Sequence, residues 1–205
     1  MEFTYSDREH IFALRQLDKF MEGHGGFIAG GCFKNLFSGE RMKDVDVFFR
    51  DRKDYESSVT ALSENEDYER LYDSENVVAF RHKSSKTTVE LIQTIFGAPW
   101  EILDMFDFTV AKFAYYREDT FNDEGEPIKV YRACYHPQFF EHLHLKRLVI
   151  DDKIPKPLST FERVLRYRGY GYRPCTETKR KLINALRALP ENDILVPTNF
   201  YDGWD

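Results

Sequence analysis

With 205 residues, the chain is long enough to bury one good core, or a core plus a small appendage. An apolar share of 42% with 18 Phe and 12 Tyr points to a folded protein and excludes disorder. The formal charge of −6 argues against the overall basic footprint of proteins that hold long nucleic acids. No run of about 18 apolar residues occurs, which excludes a transmembrane helix, and the acid-bearing N-terminus shows no signal peptide. Cys32, Cys134 and Cys175 are odd in number and far apart, as expected for reduced thiols in a cytoplasmic setting. His142 and His144 lack ligand-spaced cysteines, which argues against zinc.

In chain order, Ser6 followed by Ile11, Leu14, Leu17 and Met21 predicts a capped helix that stops at Gly23 to Gly26. Phe27-Ile28-Ala29 is an apolar strand, Gly30-Gly31 a turn, and Cys32 to Phe37 a short helix. Lys43 to Phe49 is a second strand, and Asp51 to Glu64 a helix with Tyr55, Val59 and Leu62 on one face. Leu71 to Thr94 predicts strands that include a hairpin, and Pro99 to Met105 a short helix. Asp107 to Tyr116 fits helix or strand by pattern. Asn122 to Gly125 is a turn, Ile128 to Tyr131 a strand and Pro137 to Leu145 helical. Pro155-Lys156-Pro157 marks a boundary, followed by helices over Ser159 to Tyr167 and Thr176 to Leu189. The expected organisation is an α+β head over residues 1–150 and a small helical extension over 151–205.

The stretch from Phe27 to Phe49 carries the chemistry. Alternation along a strand puts Asp44 and Asp46 on one face, roughly 7 Å apart at Cα, with Val45, Val47 and Phe49 opposite. Two converging carboxylates repel unless a cation joins them, and such oxygen sites suit Mg²⁺, which keeps water and takes phosphate oxygens as further ligands. Two such ions about 3.5–4 Å apart can hold both the attacking and the leaving oxygen of a phosphoryl displacement. Gly30 and Gly31 lack Cβ and let a phosphate approach the backbone, where the following helix offers free N–H groups. Taken singly, a Gly-Gly is a turn and an Asp-x-Asp a solvated strand face. In this order, about a dozen residues apart, they favour a metal-bound triphosphate site.

Gly30-Gly31-Cys32-Phe33-Lys34-Asn35-Leu36-Phe37-Ser38-Gly39, then Lys43-Asp44-Val45-Asp46, resembles the nucleotidyltransferase superfamily typified by DNA polymerase beta. Within it, the run resembles the head domain of CCA-adding enzymes and bacterial poly(A) polymerases. The resemblance implies a mixed β-sheet flanked by helices, with a short helical C-terminal region. It also implies that Lys34, standing where the family has Arg, keeps a cation near the phosphates beside Lys43. Asn35 replaces a family Asp. The superfamily needs a third carboxylate on a neighbouring strand. Glu90, inside Thr87 to Ile92, is the candidate, since an acid between Val89 and Leu91 is costly to bury without a cation. Its bland alternative is a surface acid on an edge strand.

Asp107-Phe108-Thr109-Val110-Ala111-Lys112-Phe113-Ala114-Tyr115 resembles a second family segment and favours helix there. Met105 and Phe106 replace its two arginines and Ala111 its Asn. Asp107 is either a nucleotide-site residue or a helix N-cap, and Lys112 a substitute phosphate contact. Phe161 to Tyr172 loosely resembles the family's Arg-x-Leu-Arg helix, and Arg163 and Arg166 belong to a local basic cluster suited to an NTP or an RNA end, or to a solvated helix face.

These features imply a Mg²⁺-dependent nucleotidyltransferase acting on an NTP such as ATP. Asp44, Asp46 and Glu90 are its catalytic and metal residues, and tRNA or another RNA 3′ end, or else a small molecule or protein hydroxyl, is its acceptor. A toxin or defence factor modifying tRNA would share the chemistry. The alternative is an inactive descendant of the fold that binds a nucleotide or a partner.

Overall fold

The architecture is that of a computed structural model describing residues 2–190 except 123 and 152. The chain opens with β1 (Thr4–Asp7) and two 3₁₀ segments, Arg8–His10 and Phe12–Phe20, before β2 (Phe27–Ala29), α1 (Cys32–Ser38) and β3 (Asp44–Phe49). Then come α2 (Arg52–Glu64), β4 (Tyr68–Asp73), β5 (Val77–His82), β6 (Thr87–Phe96) and α3 (Pro99–Asp104). A 3₁₀ turn at Thr109–Ala111 leads into β7 (Phe113–Phe121), β8 (Pro127–Tyr135), α4 (Phe139–His144) and β9 (Arg147–Leu148). The described part ends with α5 (Pro157–Gly169), β10 (Arg173–Pro174) and α6 (Thr176–Arg187). Residues 191–205 of the expected extension lie outside the described residues.

Eight strands form one mixed sheet in the order β1-β8-β7-β2-β3-β6-β5-β4. Among the described residues its parallel pair is β3–β6, and the other neighbours run antiparallel. A parallel pair needs a long crossover, and α2 with the β4–β5 hairpin supplies it. This puts β3 in the middle of the sheet, and every residue of β3 after Asp44 is buried. Phe33 of α1 packs 4.4 Å from Phe113 of β7, ring to ring, and with Phe37 and Phe139 closes the core beside the glycine turn. The expected α+β class with helices flanking a mixed sheet is what the chain adopts. Among the described residues no helix is long and apolar enough to cross a membrane.

Two expected helices are corrected. Ser6 lies in β1, where Thr4 pairs with Tyr135. The segment after it is 3₁₀, because its buried Leu14, Leu17 and Phe20 recur every three residues, the period of that tighter helix. Asp107 to Tyr116 does not form the helix that the resemblance favours. Thr109 N–H donates to Val149 C=O, Phe108 bridges to Ile150, and from Phe113 onward the chain pairs with both β2 and β8. Ladder pairing on both sides satisfies the backbone more completely than an isolated helical turn and overrides local preference. The strand expected over Ile128 to Tyr131 extends to Pro127–Tyr135 for the same reason.

Candidate active site

The glycine turn is shaped by Gly30, whose φ of 99° lies where residues with a Cβ rarely go. Its N–H donates to Phe113 C=O, tying the turn to β7, and Gly31 then caps α1. Gly39 closes α1 with a left-handed φ of 67°, its N–H returning to Asn35 and Leu36. The chain is thereby aimed into β3.

On β3, Asp44 is exposed and Asp46 is 5% exposed. The parallel ladder sets Asp46 directly opposite Glu90, so Asp44, Asp46 and Glu90 share one face. Among the described residues no side-chain hydrogen bond or ion pair engages the Asp46 carboxylate. Burial first, then Glu90 and Asp44, push it well above the usual carboxylate range. Glu90 is also raised, by burial first, and one of its oxygens accepts a hydrogen bond from Tyr72 Oη at 2.5 Å.

A cleft of about 330 Å³ opens along this face, lined by Gly31, Lys34, Arg41, Lys43, Asp44 and Asp46, among others. That is the size of a small-ligand pocket. Lys34 is buried, donates to Asn35 Oδ1 and holds its Nζ 4.3 Å from the centroid of Tyr170, an aromatic on the cleft wall. Burial, above all, lowers the Lys34 pKa, so an incoming anion would find a poorly solvated cation. The buried thiol of Cys32 is pushed up by its burial and then by Asp46. Asp46 also lines a second cavity of about 20 Å³, together with Gly30, Asp107, Arg163 and Tyr167.

The structure thus brings Gly30, Gly31, Lys34, Lys43, Asp44, Asp46 and Glu90 into one neighbourhood. The other candidates are placed differently. Asp107 is no N-cap: its Oδ2 accepts from Thr160 Oγ1 and Arg163 Nη2, both at 2.7 Å, and latches α5 to the sheet. Lys112 is fully buried and pairs with Asp151 at 2.7 Å, away from the cleft lining, so it does not serve as the expected phosphate contact. Arg163 belongs to the latch, and Arg166 lies about one turn further along α5. Sequence reasoning missed Tyr72, Tyr167 and Tyr170. The last two stand in the Arg166-Tyr167-Arg168-Gly169-Tyr170 run, whose arginines drew the assignment instead.

Three carboxylates with an uncompensated buried member form an oxygen donor set of the kind that hard cations take. They fit Mg²⁺ in chemistry. Among the described residues, however, no three His, Cys, Asp or Glu side chains are placed together so as to hold a metal ion.

A family model described as "Gabija anti-defense 2 family protein" matches residues 6–146. Among solved structures, the chain is similar to the Thermotoga maritima CCA-adding enzyme complexed with tRNA, at a TM-score of 0.56 and 14% identity over 91% of this chain and 46% of that one. It is similar to a CCA-adding enzyme in complex with ATP, at 0.56 and 15% identity over 91% and 47%. It is also similar to a tRNA nucleotidyltransferase complexed with a primer tRNA and an incoming ATP analog, at 0.52 and 19% over 85% and 50%. At such identities the likeness shows a nucleotidyltransferase-type fold, and the chain spans about half the length of these structures. No curated protein matches it.

Proposed function

The chain belongs to the Gabija anti-defense 2 family, and we propose that it counters the defence named there by nucleotidyl transfer. It moves a nucleoside monophosphate from an NTP such as ATP to an acceptor hydroxyl and releases pyrophosphate. The observation that carries this reading is the register Asp46↔Glu90 on the face of Asp44, set against the Gly31–Lys34 cleft. Lys34, Arg41 and Lys43 supply the positive charge for the triphosphate. Asp44, Asp46 and Glu90 would hold Mg²⁺, which, when bound, neutralises charge on the phosphoryl oxygens. The acceptor oxygen forms a bond to the α-phosphorus, and the bond from that phosphorus to pyrophosphate breaks. The acceptor's proton passes to Glu90 Oε2, the oxygen not engaged by Tyr72 Oη.

The acceptor in this reading is an RNA 3′ end, the substrate class present in the tRNA complexes that share the fold. A catalytically silent, partner-binding version of the fold draws support from positions 105 and 106. There the family's arginines are replaced by Met105 and by Phe106, which is buried against Phe48.

Incubation with α-³²P-labelled NTPs, Mg²⁺, total RNA and cell protein separates the readings. Label is expected in RNA, and Asp46→Asn should cut its incorporation about a thousandfold. Absence of label from RNA and protein alike, with Asp46→Asn still binding NTP and Mg²⁺ as wild type does, would overturn the enzyme reading. Label in protein alone would keep the chemistry and change the acceptor.

A further inference from the structure

We propose that Tyr72 is a positioning residue of this site, fixing Glu90 on the acceptor side of Asp46, opposite the Gly30–Gly31 turn. The inference rests on the nucleotidyl-transfer reading above. Four strands lie side by side in the order β3-β6-β5-β4. Their registers run Asp46↔Glu90, Glu90↔Ala79 and Ala79↔Tyr72. Residues opposite one another across a ladder project to the same face, so these four side chains form one row across the sheet. Strands β4 and β6 are about 9.5 Å apart, twice the inter-strand spacing, yet Tyr72 Oη reaches Glu90 Oε1 at 2.5 Å. The ring must cross over β5, and the residue beneath its path is Ala79, whose side chain is a single methyl.

The row exists because of an irregularity in β4. Tyr68, Glu69 and Arg70 pair with His82, Arg81 and Phe80, and the next pair is Tyr72 with Ala79, not Leu71 with Ala79. Leu71 is the extra residue of a bulge. A one-residue slip exchanges the faces of a strand, and bulges re-aim side chains in this way. Without it Leu71, with no hydrogen-bond donor, would stand opposite Ala79.

The placement also says where the acceptor enters. In phosphoryl transfer the attacking and leaving oxygens are roughly in line, on opposite sides of the phosphorus. The phosphate-holding turn and α1 lie beyond β3 on the β2 side, and the cleft lining includes Asp44 and Asp46 but neither Glu90 nor Tyr72. Glu90 and Tyr72 occupy the other flank, toward the β4 edge, where Tyr72 is 47% exposed. The acceptor hydroxyl therefore comes in over β5 and β4. Tyr72 engages one oxygen of Glu90 and leaves the second for that hydroxyl.

Tyr72→Phe keeps the ring over Ala79 and deletes only the donor, and a thermal melt checks that it folds. Metal-stripped wild type and variant are titrated with Mn²⁺ and followed by electron paramagnetic resonance, which needs no turnover, and transfer kinetics are measured alongside. The variant is expected to bind Mn²⁺ about tenfold more weakly and to lose a similar factor in kcat. Its KM for ATP should stay within about twofold of wild type, because the phosphate side is untouched. Unchanged Mn²⁺ affinity and kcat, or a raised KM with kcat intact, would overturn the positioning role and leave the enzyme reading standing. A wild type that neither binds Mn²⁺ nor transfers a nucleotide would instead overturn the enzyme reading, and the role of Tyr72 with it.

Discussion

Asp107 and Asp46 are both buried acids, 2% and 5% exposed, and they line the same small cavity. Their surroundings are opposite. Asp107 is met by Thr160 and Arg163, and nearby Lys112 is met by Asp151. The charged neighbours that act on Asp46 are Glu90 and Asp44, both of its own sign. Burying a charge is costly unless it is paired. In the proposed reading the unpaired group at the centre of the sheet is the one that a cation would meet, and the fully paired one is a structural joint. That difference separates the site from the latch that holds α5.

The contrast breaks if the two acids respond alike to mutation. Asp107→Ala removes the buried carboxylate that Arg163 and Thr160 share and should cost about 3–5 kcal/mol in urea unfolding. Asp46→Asn should instead gain about 1 kcal/mol in cation-free protein, because it removes an uncompensated buried charge. Equal losses would mean that both positions are structural.

Acidity tests the same contrast with a smaller expected effect. His24 belongs with the satisfied groups: its Nε2 lies 2.6 Å from Phe20 C=O and its Nδ1 accepts from Gly26 N–H. That pattern holds the ring neutral, and burial above all pushes its pKa down to about 4 from an ordinary 6.5. A depressed folded pKa contributes stability that is intact above the unfolded value and lost as pH falls. About 3 kcal/mol should disappear between pH 6.5 and 4, and His24→Gln should remove that loss. Asp46 and Glu90 carry the opposite sign. Their raised folded pKa values mean that cation-free protein gains stability as pH falls through them. Asp46→Asn should therefore steepen the acid loss, and a shallower limb in that variant would contradict the placement.

Cation binding gives a smaller shift than the Asp107 and His24 losses. Mg²⁺ at ten times its Kd should stabilise wild type by about 1.4 kcal/mol in a thermal melt. It should do nothing for Asp46→Asn, and a shift that survives this substitution would move the cation elsewhere.

The parts of the site that were legible in the chain are those carried by adjacent residues. Asp44 and Asp46 share a face because strand alternation is local, and Gly30-Gly31 announces its turn because only residues without Cβ reach such dihedrals easily. Glu90 was a candidate through its apolar flanks and the family resemblance. Its position opposite Asp46 comes from the ladder. The errors share one cause: each residue was assigned by its neighbours in sequence and placed by neighbours in space. Lys112 had the charge for a phosphate, yet pairing inside the fold gave it to Asp151. Asp107 had a cap's position, but the segment became a strand entry, and its carboxylate reached across to α5.

The sequence by itself determined the strand that bears the carboxylates, the glycine turn before it and the α+β class, since these depend on period and on local dihedral freedom. Tertiary structure alone decided which buried charges are paired. It also decided that Tyr72 stands over Glu90. Strand order and a one-residue bulge set that contact, and both follow from long-range ladder pairing, which leaves no trace in local periodicity.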